Sequence, residues 1–188
     1  MHLPLQSGSD SVLRRMARRC KTEDFRDLVD RLRQQVPDFN ITTDIIVGFP
    51  GETDQEWQDS LAFIESIDFG HIHIFTYSER EGTKAASLPN SVPKTIRAQR
   101  SRELHELAAA QKQQVLNKML AITQHKTPLV LWERGELQQD GQFKHWGYTP
   151  NYFKVCTTSD QNLTNLVLPT KLLSVEQGLY RGAVVTGN

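Results

Sequence analysis

Cysteine is scarce in this sequence. Its 188 residues hold two, Cys20 and Cys156, far apart and without metal-ligand spacing. That excludes a disulfide framework and fits a reducing compartment. Net charge is also missing, because 22 basic and 22 acidic side chains cancel. Overall charge therefore argues for no partner, although nucleic acid feels a local patch more than the sum. No apolar run approaches the length of a membrane span and no signal peptide is visible, so the chain reads as soluble and cytoplasmic. Internal repeats and low-complexity segments are absent as well. What is present is 38% hydrophobic residues, enough to bury the core of one large domain or two small ones.

The apolar spacing then divides the chain. His2-Leu3-Pro4-Leu5 is strand-like directly after Met1, which suggests a truncated chain or an edge strand. Ser9-Asp10 is placed to cap a helix running to Arg19. Thr22 is placed to cap a second, with Phe25, Leu28, Val29, Leu32 and Val36 at helical spacing. Ile41 to Val47 reads as a buried strand leading into the turn Gly48-Phe49-Pro50-Gly51. Thr53 and Glu56 form a capping box for a helix that Gly70 stops, and His71 to Tyr77 returns as a strand. Strand–helix alternation of this kind predicts parallel βαβ units. A polar stretch follows, then one long helix over 94–121. Beyond Thr127-Pro128 helical periodicity is lost. Short strands are predicted at Leu129–Glu133, Tyr152–Thr157, Asn165–Leu168 and Ala183–Val185, which predicts a small all-β barrel.

Ligands of parallel α/β sheets sit at the carboxyl ends of the strands. Three such ends carry Gln6-Ser7-Gly8-Ser9-Asp10, Gly48 to Thr53 with Asp44 upstream, and Phe75-Thr76-Tyr77-Ser78. Gly8, Ser9 and Asp10 on their own suit a plain turn and helix cap. Asp44 is less easily explained, since a carboxylate in a strand buried on both faces is costly unless paired. His71 and His73 alternate with Ile72 and Ile74, which marks a strand face rather than a metal site, with no third ligand nearby in sequence. No Gly-Lys-Ser/Thr follows the glycine turns, which excludes a phosphate loop.

Three stretches, "PLQSGSDSVLRRMAR", "TTDIIVGFPGET" and "HIFTYSEREGTKAA", resemble successive strand-end motifs of the radical S-adenosylmethionine methylthiotransferases. Those enzymes modify adenosine 37 of tRNA or a ribosomal protein. The resemblance covers essentially the whole chain, including the long helix and a β-rich tail similar to the family's RNA-binding TRAM domain. "GYTPNYFKV" at 147–155 most resembles the MtaB branch, which acts on threonylcarbamoyladenosine; the isopentenyladenosine branch is the alternative. The fold this implies is α/β: a partial radical-SAM barrel with parallel strands over residues 1–123, then an OB-like TRAM barrel over 124–188. The parent enzyme of such a chain transfers a methylthio group to C2 of the modified adenosine.

The resemblance also assigns residues. Gln6 and Arg18 would face the methionine and ribose portions of S-adenosylmethionine, with Ser7 also among the cofactor-binding residues. Asp44 would accept from the ribose hydroxyls beside the Gly48 turn, with Phe75 and Tyr77 flanking adenine. The family's two 4Fe–4S clusters need CxxxCxxC and three further cysteines, and neither set exists here. The chain accordingly resembles the C-terminal half of such an enzyme, without radical chemistry of its own. An unpaired first-strand edge would then promote self-association. In the tail, Lys144, Trp146, Tyr148, Tyr152 and Lys154 interleave cations with aromatics, the mixture by which small β-barrels hold single-stranded RNA. The expected partner is the anticodon stem-loop of tRNA. A stand-alone RNA-binding adaptor is the rival from another class.

Overall fold

Thr42–Val47 (β1) and His71–Thr76 (β2) pair in parallel, with Asp44 opposite His73 and Ile46 opposite Phe75. A parallel pair needs a crossover, and Asp54–Ile67 (α3) supplies it. The computed structural model describes residues 1–185. It divides into two units, one formed by Met1–Val36 and Ile41–Lys112, the other by Pro37–Asn40 and the chain from Gln113.

In the first unit, alternation along β1 decides which face is buried. Thr43, Ile45 and Val47 turn inward, while Thr42, Asp44 and Ile46 are half-exposed. Asp44 therefore does not sit in a strand buried on both faces, as the sequence suggests; one face of the sheet is open to solvent. Leu5, Val12, Leu13, Phe25, Val29, Trp57, Ile64, Phe69 and Leu104 are buried in the same unit. Each large apolar side chain so buried contributes roughly 1.5–3 kcal/mol.

The expected first strand is reduced to two parallel bridges, His2 to Thr42 and Gln6 to Ile45. Between them Pro4 has no N–H to offer, and the Leu5 N–H donates to the Thr43 hydroxyl at 3.0 Å rather than to a ladder carbonyl. The first helix, Asp10–Arg15 (α1), stops short of Arg19. Ala17 takes φ +56, and the Ala17 and Arg18 N–H groups return to the carbonyls of Arg14 and Leu13. This is a Schellman ending, usually given to glycine. Ser9 occupies the N-cap position of α1 without its hydroxyl capping. Thr22 is the first residue of Thr22–Gln35 (α2), not its cap; Asp10 accepts from the Thr22 N–H at 2.8 Å and so caps α2 from across the turn. At α3 both halves of the predicted capping box form, and the helix ends at Asp68 in the left-handed region before Gly70 is reached.

Lys94–Thr123 (α4) is the long helix, two residues longer than predicted. Its Leu104 is buried in the first unit, and its Val115, Leu116 and Met119 in the second.

The second unit is a closed barrel in the order β3-β4-β5-β7-β6. Its strands are Leu129–Leu137 (β3), Phe143–Tyr148 (β4), Lys154–Ser159 (β5), Leu166–Glu176 (β6) and Leu179–Val184 (β7). β4 has no counterpart among the predicted strands. β3 and β6 run well past their predicted ends, and β5 starts at Lys154 because Tyr152 turns at φ +64. All pairings are antiparallel except β5 with β7, which share two parallel pairs. The core holds Val130, Trp132, Phe153, Val155, Leu172 and Tyr180, and the Tyr180 hydroxyl donates to the Leu116 carbonyl at 3.0 Å.

Candidate functional site

A cavity of about 390 Å³ opens on the solvent side of β1 and β2, lined among others by Gln6, Asp44, Ile46, Phe75, Tyr77 and Arg80. Strand geometry accounts for the grouping: Asp44, Ile46 and Phe75 share the face turned away from the helices. Gln6 reaches the same place through its backbone, its N–H donating to the Asp44 carbonyl and its carbonyl accepting from Ile46, both at 2.9 Å. It does so at φ +78, a conformation that costs a non-glycine residue about 1–3 kcal/mol and that collects at ligand sites.

Tyr77 is fixed on three sides. Its ring meets Phe49 edge-on at 5.3 Å, the Arg97 guanidinium lies 5.2 Å from its centroid, and its carbonyl accepts from Arg97 at 2.9 Å. Yet the Tyr77 hydroxyl is buried without a hydrogen-bond partner. Leaving a buried donor unpaired costs about 1–3 kcal/mol, so this is a group suited to a ligand. Arg97 also binds Glu79, whose carboxyl it holds down at about 2, and Ser91 at 2.8 Å, which ties down the loop that carries Arg80.

The Gly48 turn serves this arrangement from behind. Gly48 has φ +75, and a Cβ there would meet Arg97 Cγ at 2.5 Å, so only glycine fits. Its N–H donates to Glu52 at 2.9 Å, and Glu52 pairs with Arg100. Burial pushes the Glu52 carboxyl up, against the opposing pull of Arg100 and the Gly48 N–H.

Four of the seven predicted cofactor residues, Gln6, Asp44, Phe75 and Tyr77, thus line one cavity. The other three do not. Ser7 is buried and accepts from the Ser9 N–H, Gly48 shapes the turn, and Arg18 is exposed beyond the end of α1. Ser78, named with its strand end, also lines the cavity, as do Arg80 and Thr83, to which sequence reasoning assigns no role because they lie on an irregular segment without periodicity. The cavity's carboxylate, amide, phenol and guanidinium can receive a polar ligand with hydroxyl and charged groups. The cysteines do not suit an iron–sulfur cluster: Cys20 is exposed in the first unit, Cys156 is buried in the second, and each unit has one.

On the barrel, Lys144, Trp146 and Tyr148 are half-exposed on one face of β4, while His145 between them is buried. Register sets Lys154 opposite Tyr148 and Arg134 opposite Trp146. The Lys144 ammonium lies 5.3 Å and the Arg134 guanidinium 5.8 Å from the Trp146 ring centroid. Tyr148 and Tyr152 stand 6.3 Å apart, and Tyr152 is largely exposed. The five predicted residues therefore gather on one side of the barrel. Arg134 joins them, a residue that sequence reasoning misses because it lies beyond the predicted end of its strand. Phe153 turns inward to the core. Among the described residues no helix is long and apolar enough to cross a membrane.

Residues 1–64 match the model of the radical SAM superfamily. The tRNA-2-methylthio-N(6)-dimethylallyladenosine synthase of Ehrlichia chaffeensis is 34% identical over 98% of this chain and 41% of its own length. The threonylcarbamoyladenosine tRNA methylthiotransferase MtaB of Bacillus subtilis is 33% identical over 98% of this chain and 40% of its own length. MtaB of Thermotoga maritima is 49% identical over 57% of this chain and 25% of its own length. The chain thus spans about two fifths or less of the length of these three relatives.

Proposed function

Because this chain belongs to the radical S-adenosylmethionine tRNA methylthiotransferase family, we propose that it supplies two binding elements of such an enzyme. One is part of the S-adenosylmethionine pocket, on the β1–β2 sheet of a partial radical-SAM barrel. The other is the tRNA-binding face of a TRAM-type barrel. The observation that carries the reading is the cavity shared by Gln6, Asp44, Phe75 and Tyr77, with the unpartnered Tyr77 hydroxyl beside it. Asp44 accepts from the ribose diol, as a carboxylate suits two adjacent hydroxyls. Phe75 and Tyr77 flank the adenine, and the Tyr77 hydroxyl gains the partner it lacks. Arg80 takes the methionine carboxylate, for which a guanidinium is the natural planar partner. When bound with a reduced cluster, S-adenosylmethionine supplies a radical; this chain's thiols do not suit that cluster, and no radical step is assigned to its residues.

The substrate of the whole enzyme is N6-threonylcarbamoyladenosine 37 of tRNA, a reading supported by the likeness of "GYTPNYFKV" to the MtaB branch. Relatives named for dimethylallyladenosine match at similar identity, so that base is the second reading. Calorimetric titration with S-adenosylmethionine, then with anticodon stem-loops carrying either base, tests both. Cofactor binding weakened at least about tenfold by Asp44→Asn is the expected result. RNA binding without cofactor binding would leave only an RNA adaptor, and tighter binding of the dimethylallyl stem-loop would exchange the substrate.

A further inference from the structure

The open face of the β1–β2 sheet holds a second group of side chains beside the cavity. His2 Nε2 lies 3.2 Å from Asp44 Oδ2, and His73 pairs with Asp44 in the strand register. One ligand atom from each of His2, Asp44 and His73 lies within 4.8 Å of the others. No local pattern announces the group, since His2 and Asp44 are remote from His73 along the chain and only the parallel pairing unites them. From these positions we propose that His2, Asp44 and His73 form a binding site for a divalent first-row metal ion, with zinc as the stable representative.

Two imidazole nitrogens and a carboxylate oxygen are the donor set that such ions take, and not the all-oxygen set of magnesium or calcium. Donors about 2.1 Å from a tetrahedral ion stand about 3.4 Å apart. His2 Nε2 and Asp44 Oδ2 already stand 3.2 Å apart, and a pair at the 4.8 Å bound would close by roughly 1.4 Å. Both imidazoles are exposed, so rotation about their χ angles can make that movement. The three donors come from three adjacent backbone segments held in register, so the site is largely formed before an ion arrives. The His2 ring is also held from its other side. Its Nδ1 is 3.0 Å from the Thr42 hydroxyl, which orients the imidazole and leaves Nε2 toward Asp44. Metal-binding histidines are oriented in this way through their second nitrogen. Three protein donors leave a fourth position for water or an anionic group. The edge-on contact between the rings of His2 and His73, at 5.6 Å between centroids, shows that both already crowd the same space.

The site shares Asp44 with the proposed cofactor cavity but is tested apart from it, since zinc is titrated without S-adenosylmethionine and His2 and His73 do not line that cavity. The experiment strips the full chain with chelator and titrates zinc against a competing fluorescent chelator, with cobalt(II) absorption reporting the donor set. One zinc per chain is expected, with a cobalt spectrum of nitrogen and oxygen ligation. His73→Asn and Asp44→Asn should each weaken zinc more than about 100-fold, and Thr42→Val about tenfold. His71→Asn and Cys20→Ser should leave it unchanged; His71 is the adjacent imidazole, 4.5 Å from His73 between centroids, and Cys20 the exposed thiol. Circular dichroism establishes that each variant is folded, and these side chains lie on an open face where substitution leaves the core intact. Failure to bind zinc, or equal binding by the His73 and Asp44 variants, would overturn the site, as would a cobalt spectrum of thiolate ligation.

Discussion

The Arg100 guanidinium lies 2.8 Å from the Glu52 carboxylate, and both side chains are almost wholly shielded from water. Arg100 also donates to the Glu52 carbonyl and to Asp54, while Glu52 accepts from the Gly48 N–H. One ion pair therefore fixes the turn after β1 to α4.

Removing either partner leaves a buried charge uncompensated. Arg100→Ala should destabilise the first unit by about 3–5 kcal/mol. Urea unfolding followed by circular dichroism measures this; a loss below about 1 kcal/mol would show that the pair does not hold the turn.

Gly48 should tolerate no side chain. In Gly48→Ala the positive φ costs about 1–2 kcal/mol, and displacement of the Arg97 stem adds about 1–3 kcal/mol. Thermal unfolding would report the sum, and a variant as stable as the parent would mean that Arg97 moves aside freely.

Glu56 predicts an acid-side loss of stability. It accepts from Arg15, Ser11 and the Thr53 N–H, and the Arg15 hydrogen bond above all brings its carboxyl down to about 2. Folding thus favours the ionised form. Its contribution is complete above the unfolded value of about 4.5 and disappears as pH falls from there toward 2. Glu56→Gln should be less stable at neutral pH and show a shallower decline over that window. Parallel urea curves at all pH values for parent and variant would refute the assignment.

On the barrel, Arg134→Ala with Lys144→Ala should lower the salt dependence of tRNA binding by about two units, one for each phosphate no longer neutralised. Trp146→Ala should cost about 1–3 kcal/mol if a base stacks there. Filter binding across a salt series measures both effects. Unchanged slope and affinity would move the RNA to another face.

The sequence is most legible where one local signal decides the structure. Thr53 and Glu56 announce α3 because both partners of the box lie within a single turn. The apolar run ahead of the Gly48 turn announces β1, but it does not say that one face is open, which depends on what packs there. The ends of α1 and α3 are illegible because Ala17 and Asp68 adopt a conformation expected of glycine. β4 is hidden since "FKHWGY" mixes a cation, an imidazole and a glycine. Gly147 is needed there, as a Cβ would meet the Leu131 carbonyl at 2.3 Å. Within the cavity, residues on the strands and at their ends are legible. Arg80 is not, because it lies past the end of β2 on an irregular segment with no local pattern.

The two-pair seam between β5 and β7 gives the barrel a measurable clock. Cys156 sits on that seam, buried, with Arg181 donating to its sulfur at 3.4 Å, whereas Cys20 is exposed. A thiol reagent therefore meets one sulfur at once and the other only when the shortest ladder of the barrel parts. The slow phase of labelling times that breathing directly. During refolding the same sulfur passes out of reach of the reagent once this ladder has formed, so the loss of labelling times closure at the β5–β7 seam.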